Sequence, residues 1–597
     1  MKLRFDQLLV ANVILFGIII SFQNCSSQYK SKENSSVLAS QINTDNTIDI
    51  VMGGPYPSST LGTVYYFVDC GEGASLDCTK NIGNDSNPGT NANQPFKTSV
   101  QFQQVFNDAK PGDQILFAQC GAWSSMQTTL YNTYSAIDNE HLLNMTANPV
   151  IIGSYRPIWC QTGVRPILQG TTGLDIVMNF TTGSSGKPNG GFILRDLLFQ
   201  GAGYYNNSAL NFLRWPRNVM IDNLIINNFG GGGITCGGQP AYGYPDHITI
   251  RNSKISNSGK LGLGFFGCNN VLIENNKFDN NGFDDGVLSS QPINQNHQLY
   301  ISGTDANDGS ITTGVVVRGN KFTNSSMKDG RCQSTVIVGH DVASDWLIEN
   351  NVIYQPINSN AGGCWGIGFS PANGGYMEGM DRLIIRGNTL INVGNVGVQL
   401  AACRNCAIEN NILIWTSADN GGVNAIRFNH AITSPAYVGS QLMIRNNSIY
   451  FNQSADVSHG IVINDDGINH SVVSNLIYFG SENNIAANCF DTNLATSAFS
   501  AWDNNSCYHY TNWISTYSKL ETWRKVSGFD LNSINSDPLL IGIPSEETPS
   551  NISLQAASPA IDRGHPSLST LFDMNHCTRN STPDIGAFEY LTAVCVK

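Results

Sequence analysis

One short phrase, an apolar residue, two turn-formers and another apolar residue, is written ten times along this chain. The strong copies are Met220-Ile-Asp-Asn-Leu-Ile225, Ile250-Arg-Asn-Ser-Lys-Ile255, Ile273-Glu-Asn-Asn-Lys-Phe278, Val317-Arg-Gly-Asn-Lys-Phe322, Ile348-Glu-Asn-Asn-Val-Ile353, Ile385-Arg-Gly-Asn-Thr-Leu390, Ile408-Glu-Asn-Asn-Ile-Leu413 and Ile444-Arg-Asn-Asn-Ser-Ile449. Weaker copies begin at Ile193 and Val472. The fourth positions, Asp196 to Asn475, are 23 to 44 residues apart. A recurrence of that size, with only strand-sized apolar pieces inside it, describes a solenoid of stacked coils.

A second strand falls in every period. It reads Leu210-Asn-Phe212, Ile234-Thr-Cys236, Leu263-Gly-Phe265, Leu299-Tyr-Ile301, Val336-Ile-Val338, Ile367-Gly-Phe369, Val398-Gln-Leu400, Ile426-Arg-Phe428 and Ile461-Val-Ile463. Period-two alternation puts the outer residues of each triplet inside and the middle one outside. With no helical stretch between the strands, each must pair in parallel with its counterpart one period away. The expected fold is all-β: a single-stranded right-handed parallel β-helix with coils about 4.8 Å apart. The Asn-Asn and Gly-Asn pairs fit its corners. Asn and Gly enter the left-handed region at least cost, and stacked Asn side chains can bond along the axis.

A solenoid explains how 597 residues need not split into globular domains, since its core grows lengthwise. Only 13% of residues are charged, and the net charge is −13. That balance excludes nucleic acid, which is held by Lys and Arg against phosphate. It suits polar partners such as sugars.

Residues 1–24 carry Lys2 and Arg4 before an apolar run from Leu8 to Ile20, the pattern of an export signal. Cys25 follows, then a polar tether to about residue 62. This order resembles a bacterial lipoprotein, which implies lipidation at Cys25, outer-membrane anchoring and no other membrane contact. Phe22, Gln23 and Asn24 depart from the usual residues before such a cysteine. The alternative is ordinary cleavage, with Cys25 free or disulfide-bonded. The other fourteen cysteines are an even number, as an oxidising compartment favours. Cys332 and Cys364 precede successive outward strands and should be close. Local pairs Cys70–Cys78, Cys120–Cys160, Cys489–Cys507 and Cys577–Cys595 are expected, and Cys403-Arg-Asn-Cys406 reads as a structural turn pair.

Open coil ends are usually capped. Phe102, Val105, Phe106 and Ala109 fall on one helical face, and Thr98 can be its N-cap. The flanking pieces Asn84-Asp-Ser-Asn-Pro-Gly-Thr90, Gln94-Pro-Phe-Lys-Thr98 and Ala109-Lys-Pro-Gly-Asp-Gln-Ile115 resemble the opening of bacterial pectate-lyase-like right-handed parallel β-helix proteins. So do Asn148-Pro-Val-Ile-Ile152 and Arg165-Pro-Ile-Leu168. Ser536-Asp-Pro-Leu-Leu540, Leu554-Gln-Ala-Ala-Ser-Pro-Ala-Ile-Asp562 and Pro583-Asp-Ile-Gly-Ala-Phe-Glu589 are similar to its C-terminus. The resemblance covers about residues 64–592 and implies a β-helix over 63–540, a closing segment over 541–597, and a substrate groove on the outward strand face. It does not choose among lyases, hydrolases, epimerases and adhesins.

The outward triplet positions stack as Asn211, Thr235, Gly264, Tyr300, Ile337, Gly368, Gln399, Arg427 and Val462. Two residues beyond each triplet lie Arg214, Gly238, Gly267, Gly303, His340, Pro371, Ala402, His430 and Asp465. One polar cluster therefore holds His297, Tyr300, Ser302, Asp305, Arg331, His340 and Asp341. A second holds Arg427, His430, Asp465 and Asp466, with Gln399, Asn429 and Asn464 beside it. His297, Gln399, Asn429 and Asn464 are expected to bind substrate. Elimination on a uronic acid polymer needs a cation for the carboxylate and a base for the C5 proton. Arg331 with His340, or Arg427 with His430, fits those roles. Hydrolases of the family use paired aspartates, for which Asp284-Asp285 and Asp465-Asp466 are available, though such pairs usually form turns. The ordinary reading of both clusters is a solvated polar face.

Tyr242-Gly-Tyr-Pro-Asp-His247 is similar to a stretch of alginate epimerases with Pro and Asp exchanged, but it runs straight into a strand and reads as a coil corner. Asp305-Ala-Asn-Asp-Gly309 offers three side chains to calcium, which takes six to eight oxygens, so Ca2+ is the one cofactor left open. Two functions follow: a surface enzyme degrading polysaccharide, as a lyase if active, or a non-catalytic glycan-binding envelope protein. The sequence leaves catalysis open.

Overall fold

The computed structural model describes residues 29–30 and 62–590 outside segments 125, 127, 131–147, 171–175, 182–188, 204–207, 239–242, 284–295, 304–310, 329–330, 357–360, 363, 370–378, 417–421, 430–437, 453–456, 465–466 and 482–486. The described chain winds as a right-handed parallel β-helix. Three long sheets of 13, 13 and 14 strands run its length, each strand bonded to its counterpart one coil away. Every crossover joins parallel strands, the connection whose hand is right by default.

The triplet strands form one 13-stranded sheet in the expected order. Leu210 faces Ile234, Ile234 faces Leu263 and Leu263 faces Leu299. Ile367, Val398, Ile426 and Ile461 continue the row. Both outer residues of these triplets are fully buried. One triplet is displaced. Leu299 pairs with Ile337, and Ile337 with Ile367, so Val338, not Ile337, follows Tyr300 on the outward row. Val336 is buried one position earlier.

The repeated phrase makes the corner between the other two long sheets. Its third residue sits in the left-handed region at Asn252, Asn275, Gly319, Asn350, Gly387, Asn410, Asn446 and Ser474. Its fourth forms a buried amide ladder through Asn276, Asn320, Asn351, Asn388, Asn411, Asn447, Asn475 and Asn505. In each step the side-chain amide donates to the next Oδ1 at 2.9–3.1 Å. Each backbone N–H in the row also donates to the next Oδ1. In the low-dielectric core such a chain is satisfied throughout and fixes the stacking register. The first two copies slip by one residue. Asn223 and Asp196 occupy the left-handed position, and Leu224 and Leu197 stand where the ladder would run.

At the N-terminus, helix Ser99–Asp108 covers the first coil. Thr98 Oγ1 accepts from Gln101 N, and Phe102, Val105, Phe106 and Ala109 are buried. The far end is covered by helix Leu520–Ser527, with Trp513 and Trp523 both donating to buried Asp530 at 2.9 Å. The last segment does not stay at that end. Leu540, Ile552, Leu554, Ala560, Ile585, Ala587 and Phe588 pack back along Ile391, Ile412, Ile414, Tyr450 and Leu476. A buried Arg579 fastens it, bonding Glu589, Gly586 O and Asn410.

Disulfides join Cys70–Cys78, Cys120–Cys160, Cys332–Cys364, Cys403–Cys406 and Cys489–Cys507. Cys577 is disulfide-bonded as well. Cys595 and Cys25 lie outside the described residues.

Candidate functional site

The triplet sheet presents its outward side chains in three columns, because the chain breaks strict alternation just before each triplet. The residue before the triplet is small in most coils: Ala209, Gly233, Gly262, Gly366, Gly397, Ala425 and Gly460. A Cβ on Gly397 would lie 2.5 Å from Leu413 Cδ2, and one on Gly460 would lie 2.6 Å from Ile477 Cδ1. These positions point into the core, as does the next residue. Two inward residues in succession turn the residue before them outward. The first outward column therefore includes His297, Trp365, Asn424, His459, Asn488 and Asn512. The second runs Gly264, Tyr300, Val338, Gly368, Gln399, Arg427, Val462 and Asp491. The third includes Phe266, Ser302 and His340, then Ala401, Asn429 and Asn464.

The first predicted cluster forms in part. Tyr300 lies between two imidazoles, its ring centre 5.7 Å from His297 and 5.7 Å from His340. Phe266 closes the near side at 5.5 Å. His340 reaches this place because it pairs with Ser302, one position short of the expected Gly303. The Cys332–Cys364 disulfide anchors the segment carrying Ser334 and Thr335. Thr335 O lies 2.8 Å from His297 Nδ1, and Ser334 Oγ lies 3.0 Å away. A carbonyl only accepts, so the proton is assigned to Nδ1 and Nε2 carries the lone pair. Burial pushes the His297 pKa down to about 4, which keeps the ring neutral at physiological pH.

The cluster is closed: His297, Tyr300 and His340 are 6%, 4% and 6% exposed. Asp341 follows at a left-handed corner, φ 66°, half-buried, its carbonyl accepting from Gly379 N. Arg331 pairs by its backbone with Lys328; its side chain lies outside the described residues, as do Asp305 and its loop. Lys260, which the sequence reading passed over, accepts His297 N–H on its carbonyl. Burial brings its ammonium down to about 8.

The second cluster forms in part. Arg427 pairs with Val462, as expected, and sits four strands from Tyr300, roughly 19 Å. It donates through Nε to Gln399 Oε1, and its guanidinium lies over the Trp365 ring, 5.1 Å from the centroid. Burial lowers its pKa to about 10. Gln399 Nε2 is bound to Leu400 O, and Asn464 Oδ1 accepts from Asn493 N. Asn429 is half-buried beside it. His430, Asp465 and Asp466 lie outside the described residues, and so do Asp284 and Asp285.

Trp365, Asn424 and His459 went unnoticed because a strict period of two buries them. The signal was present in the small residue that precedes each triplet. Asp246, in the epimerase-like stretch, is taken up by Arg217 at 2.9 Å and lies at a corner where His247 has φ 56°. Among the described residues no group of three or more His, Cys, Asp or Glu side chains could hold a metal ion, and no helix is long and apolar enough to cross a membrane.

No family model matches the chain, and no curated protein matches it. Among solved structures, pectate lyase Pel9A aligns over 89% of this chain and 98% of its own, at 15% identity and TM-score 0.34. The PL6 family alginate lyase AlyGC aligns over 77% of this chain and 56% of its own, at 13% identity and TM-score 0.45. The GH136 lacto-N-biosidase from Eubacterium ramulus aligns over 66% of this chain and 64% of its own, at 13% identity and TM-score 0.43. This chain thus spans just under two thirds of that protein's length. All three scores are below 0.5, so the fold assignment stands on the strand ladder itself.

Proposed function

We propose that this pectate-lyase-like parallel β-helix protein is exported, tethered through a lipidated Cys25, and binds an acidic polysaccharide along the triplet sheet, cleaving it by β-elimination at Tyr300. The observation that carries the reading is the placement of Tyr300 between His297 and His340. Elimination removes the C5 proton of a uronate and expels the sugar on C4. The C5–H electron pair becomes the C4–C5 double bond as the C4–O bond breaks. A phenol flanked by imidazoles can exchange the protons these two events require. Neutral His297 offers its Nε2 lone pair as a hydrogen-bond acceptor. Arg331, on the coil of His340, is the cation the sequence offers for the carboxylate.

A second reading, glycan binding without turnover, is favoured by the closure of the cluster, whose three rings are each less than a tenth exposed.

The test is to incubate the mature protein with pectins, alginates and glycosaminoglycans and follow the ultraviolet absorbance of unsaturated ends. Turnover that falls at least about 100-fold in Tyr300→Phe, with unchanged circular dichroism, supports the lyase. Binding without turnover across the panel leaves the second reading. Neither binding nor turnover removes both. Radiolabelled fatty acid should enter the wild-type protein and not Cys25→Ser.

A further inference from the structure

Among the described residues eight arginines are paired with a carboxylate: Arg195, Arg217, Arg251, Arg318, Arg382, Arg386, Arg445 and Arg579. Arg427 is different. It stands half-buried on the sheet face with its guanidinium over the Trp365 ring, and no acidic side chain meets it among the described residues. Its one hydrogen bond is Nε to Gln399 Oε1. The Nη groups, which make the fork that matches a carboxylate, have no protein partner there.

The position is fixed from three sides. Gly368 lacks a side chain, and a Cβ there would meet Trp365 Cε3 at 3.1 Å, so the indole lies across that coil. Gln399, one coil on, is buried and held by its own bond to Leu400 O. Arg427, one coil further, reaches back over both and stacks on the indole. A cation that is desolvated, oriented and without a counter-charge is costly to the free protein. The cost is recovered when an anion arrives. Asn424 and Asn429, on the same strand as Arg427, are half-buried in the two flanking columns.

We infer that Trp365, Gln399 and Arg427 form a subsite for an anionic sugar residue, with the acid group on the Arg427 fork and the ring against the half-exposed indole. The inference rests on the acidic-polysaccharide reading and adds a second contact point, with the residues that take the acid group and the ring. Arg427 lies four strands from Tyr300, about 19 Å. A single sugar cannot touch both, so an oligomer long enough to do so gains by tethering, and a shorter one does not.

Oligogalacturonates and oligoalginates of increasing length would be titrated calorimetrically into the wild type, Arg427→Gln, Arg427→Lys and Trp365→Ala, with neutral xylo-oligosaccharides and chondroitin sulfate oligosaccharides as further arms. The wild type should bind long acidic oligomers more tightly than short ones. Arg427→Gln should weaken the long oligomers about 10- to 100-fold and abolish the gain with length. Arg427→Lys keeps the charge without the fork and should fall between, which covers a misfolded glutamine variant. Chondroitin sulfate also carries a uronate carboxylate, so its binding should depend on Arg427 in the same way. Unchanged binding of long acidic oligomers by Arg427→Gln overturns the inference while the acidic-polysaccharide reading stands, and equal binding of neutral oligomers by the wild type overturns both. No binding of any oligomer by the wild type removes both.

Discussion

Asn388 is the sharpest place to test what holds the coils in register. Its Oδ1 accepts the backbone N–H and the side-chain amide of Asn351, both at 3.0 Å. Its Nδ2 donates to Ile348 O at 2.9 Å, Arg386 O at 3.0 Å and Asn411 Oδ1 at 3.0 Å. In Asn388→Ala the Asn351 amide keeps Val317 O, but the Asn351 N–H loses its acceptor inside the core. An orphaned buried donor costs about 1–3 kcal/mol, and the deleted amide leaves a void worth about 1 kcal/mol more. The expected loss is therefore about 2–4 kcal/mol. Asn388→Asp keeps the acceptor but brings a carboxylate against Ile348 O, Arg386 O and Asn411 Oδ1, so it should cost more than alanine. Asn275→Gly is the control: that residue has φ 54°, where glycine is at ease, and its change should stay within about 0.5 kcal/mol. Urea unfolding followed by tryptophan fluorescence gives the ranking. Solenoids open regionally, so hydrogen exchange over the coils from Ile348 to Ile414 should accompany it. An alanine variant no weaker than the glycine control, or an aspartate variant milder than alanine, would refute the ladder argument.

Two further outcomes follow from buried ionisable groups. His470 is enclosed by Phe428 and Phe499, and burial pushes its pKa down from 6.5 to about 4. The fold therefore disfavours its protonation; the stability involved is complete above pH 6.5 and is lost as pH falls toward 4. Asp530 has the opposite sign, its pKa raised to about 6, so its contribution is lost as pH rises through that value. The comparison must accordingly be between wild type and His470→Phe. Their difference in unfolding free energy should shift by up to about 3 kcal/mol between about pH 7 and pH 4, and a difference independent of pH would count against the assignment. In Arg579→Met the Glu589 carboxylate is left buried and unpaired, a loss of about 3–5 kcal/mol confined to the returning C-terminal segment. Limited proteolysis should release that segment while the coils survive, and unchanged cleavage would show that the apolar contacts alone hold it.

The stacking was legible because two chemical signatures coincide in most coils. Asn-Asn and Gly-Asn mark a corner needing positive φ and a buried amide, and the apolar triplets mark the inward face. Where a signature thinned, the reading slipped. Leu197 and Leu224 replace the ladder amide, so the first two phrases were placed one residue early. Val336 and Ile337 are adjacent apolar residues, and alternation alone cannot say which begins the triplet; that choice moved His340 by one position. The returning C-terminal segment offers no period, so nothing in its spacing says which sheet Ile552 and Ile585 will cover. His297, Tyr300 and His340 came together because stacking converts a separation of three dozen residues into one strand spacing.

The small column that precedes the triplets explains why the polar rings gather where they do. Among the nine triplets from Leu210 to Ile463 two members are not small: Gln298 and Val336 stand on the coils of His297 and His340. Gln298 fills its place by accepting from Asn281 at 2.5 Å and donating to Thr323 O at 2.6 Å, so its amide is satisfied although fully buried. A larger inward residue at this column displaces the strand less cheaply than glycine and needs compensation elsewhere in the coil. The same coils carry the Cys332–Cys364 disulfide and the Thr335 carbonyl that holds His297. The departure from the repeat and the convergence of titratable rings thus fall on the same two coils. Seven of the nine triplet coils keep the small residue, and the two that do not carry His297 and His340; a break in a repeat is where a functional or strained site is expected.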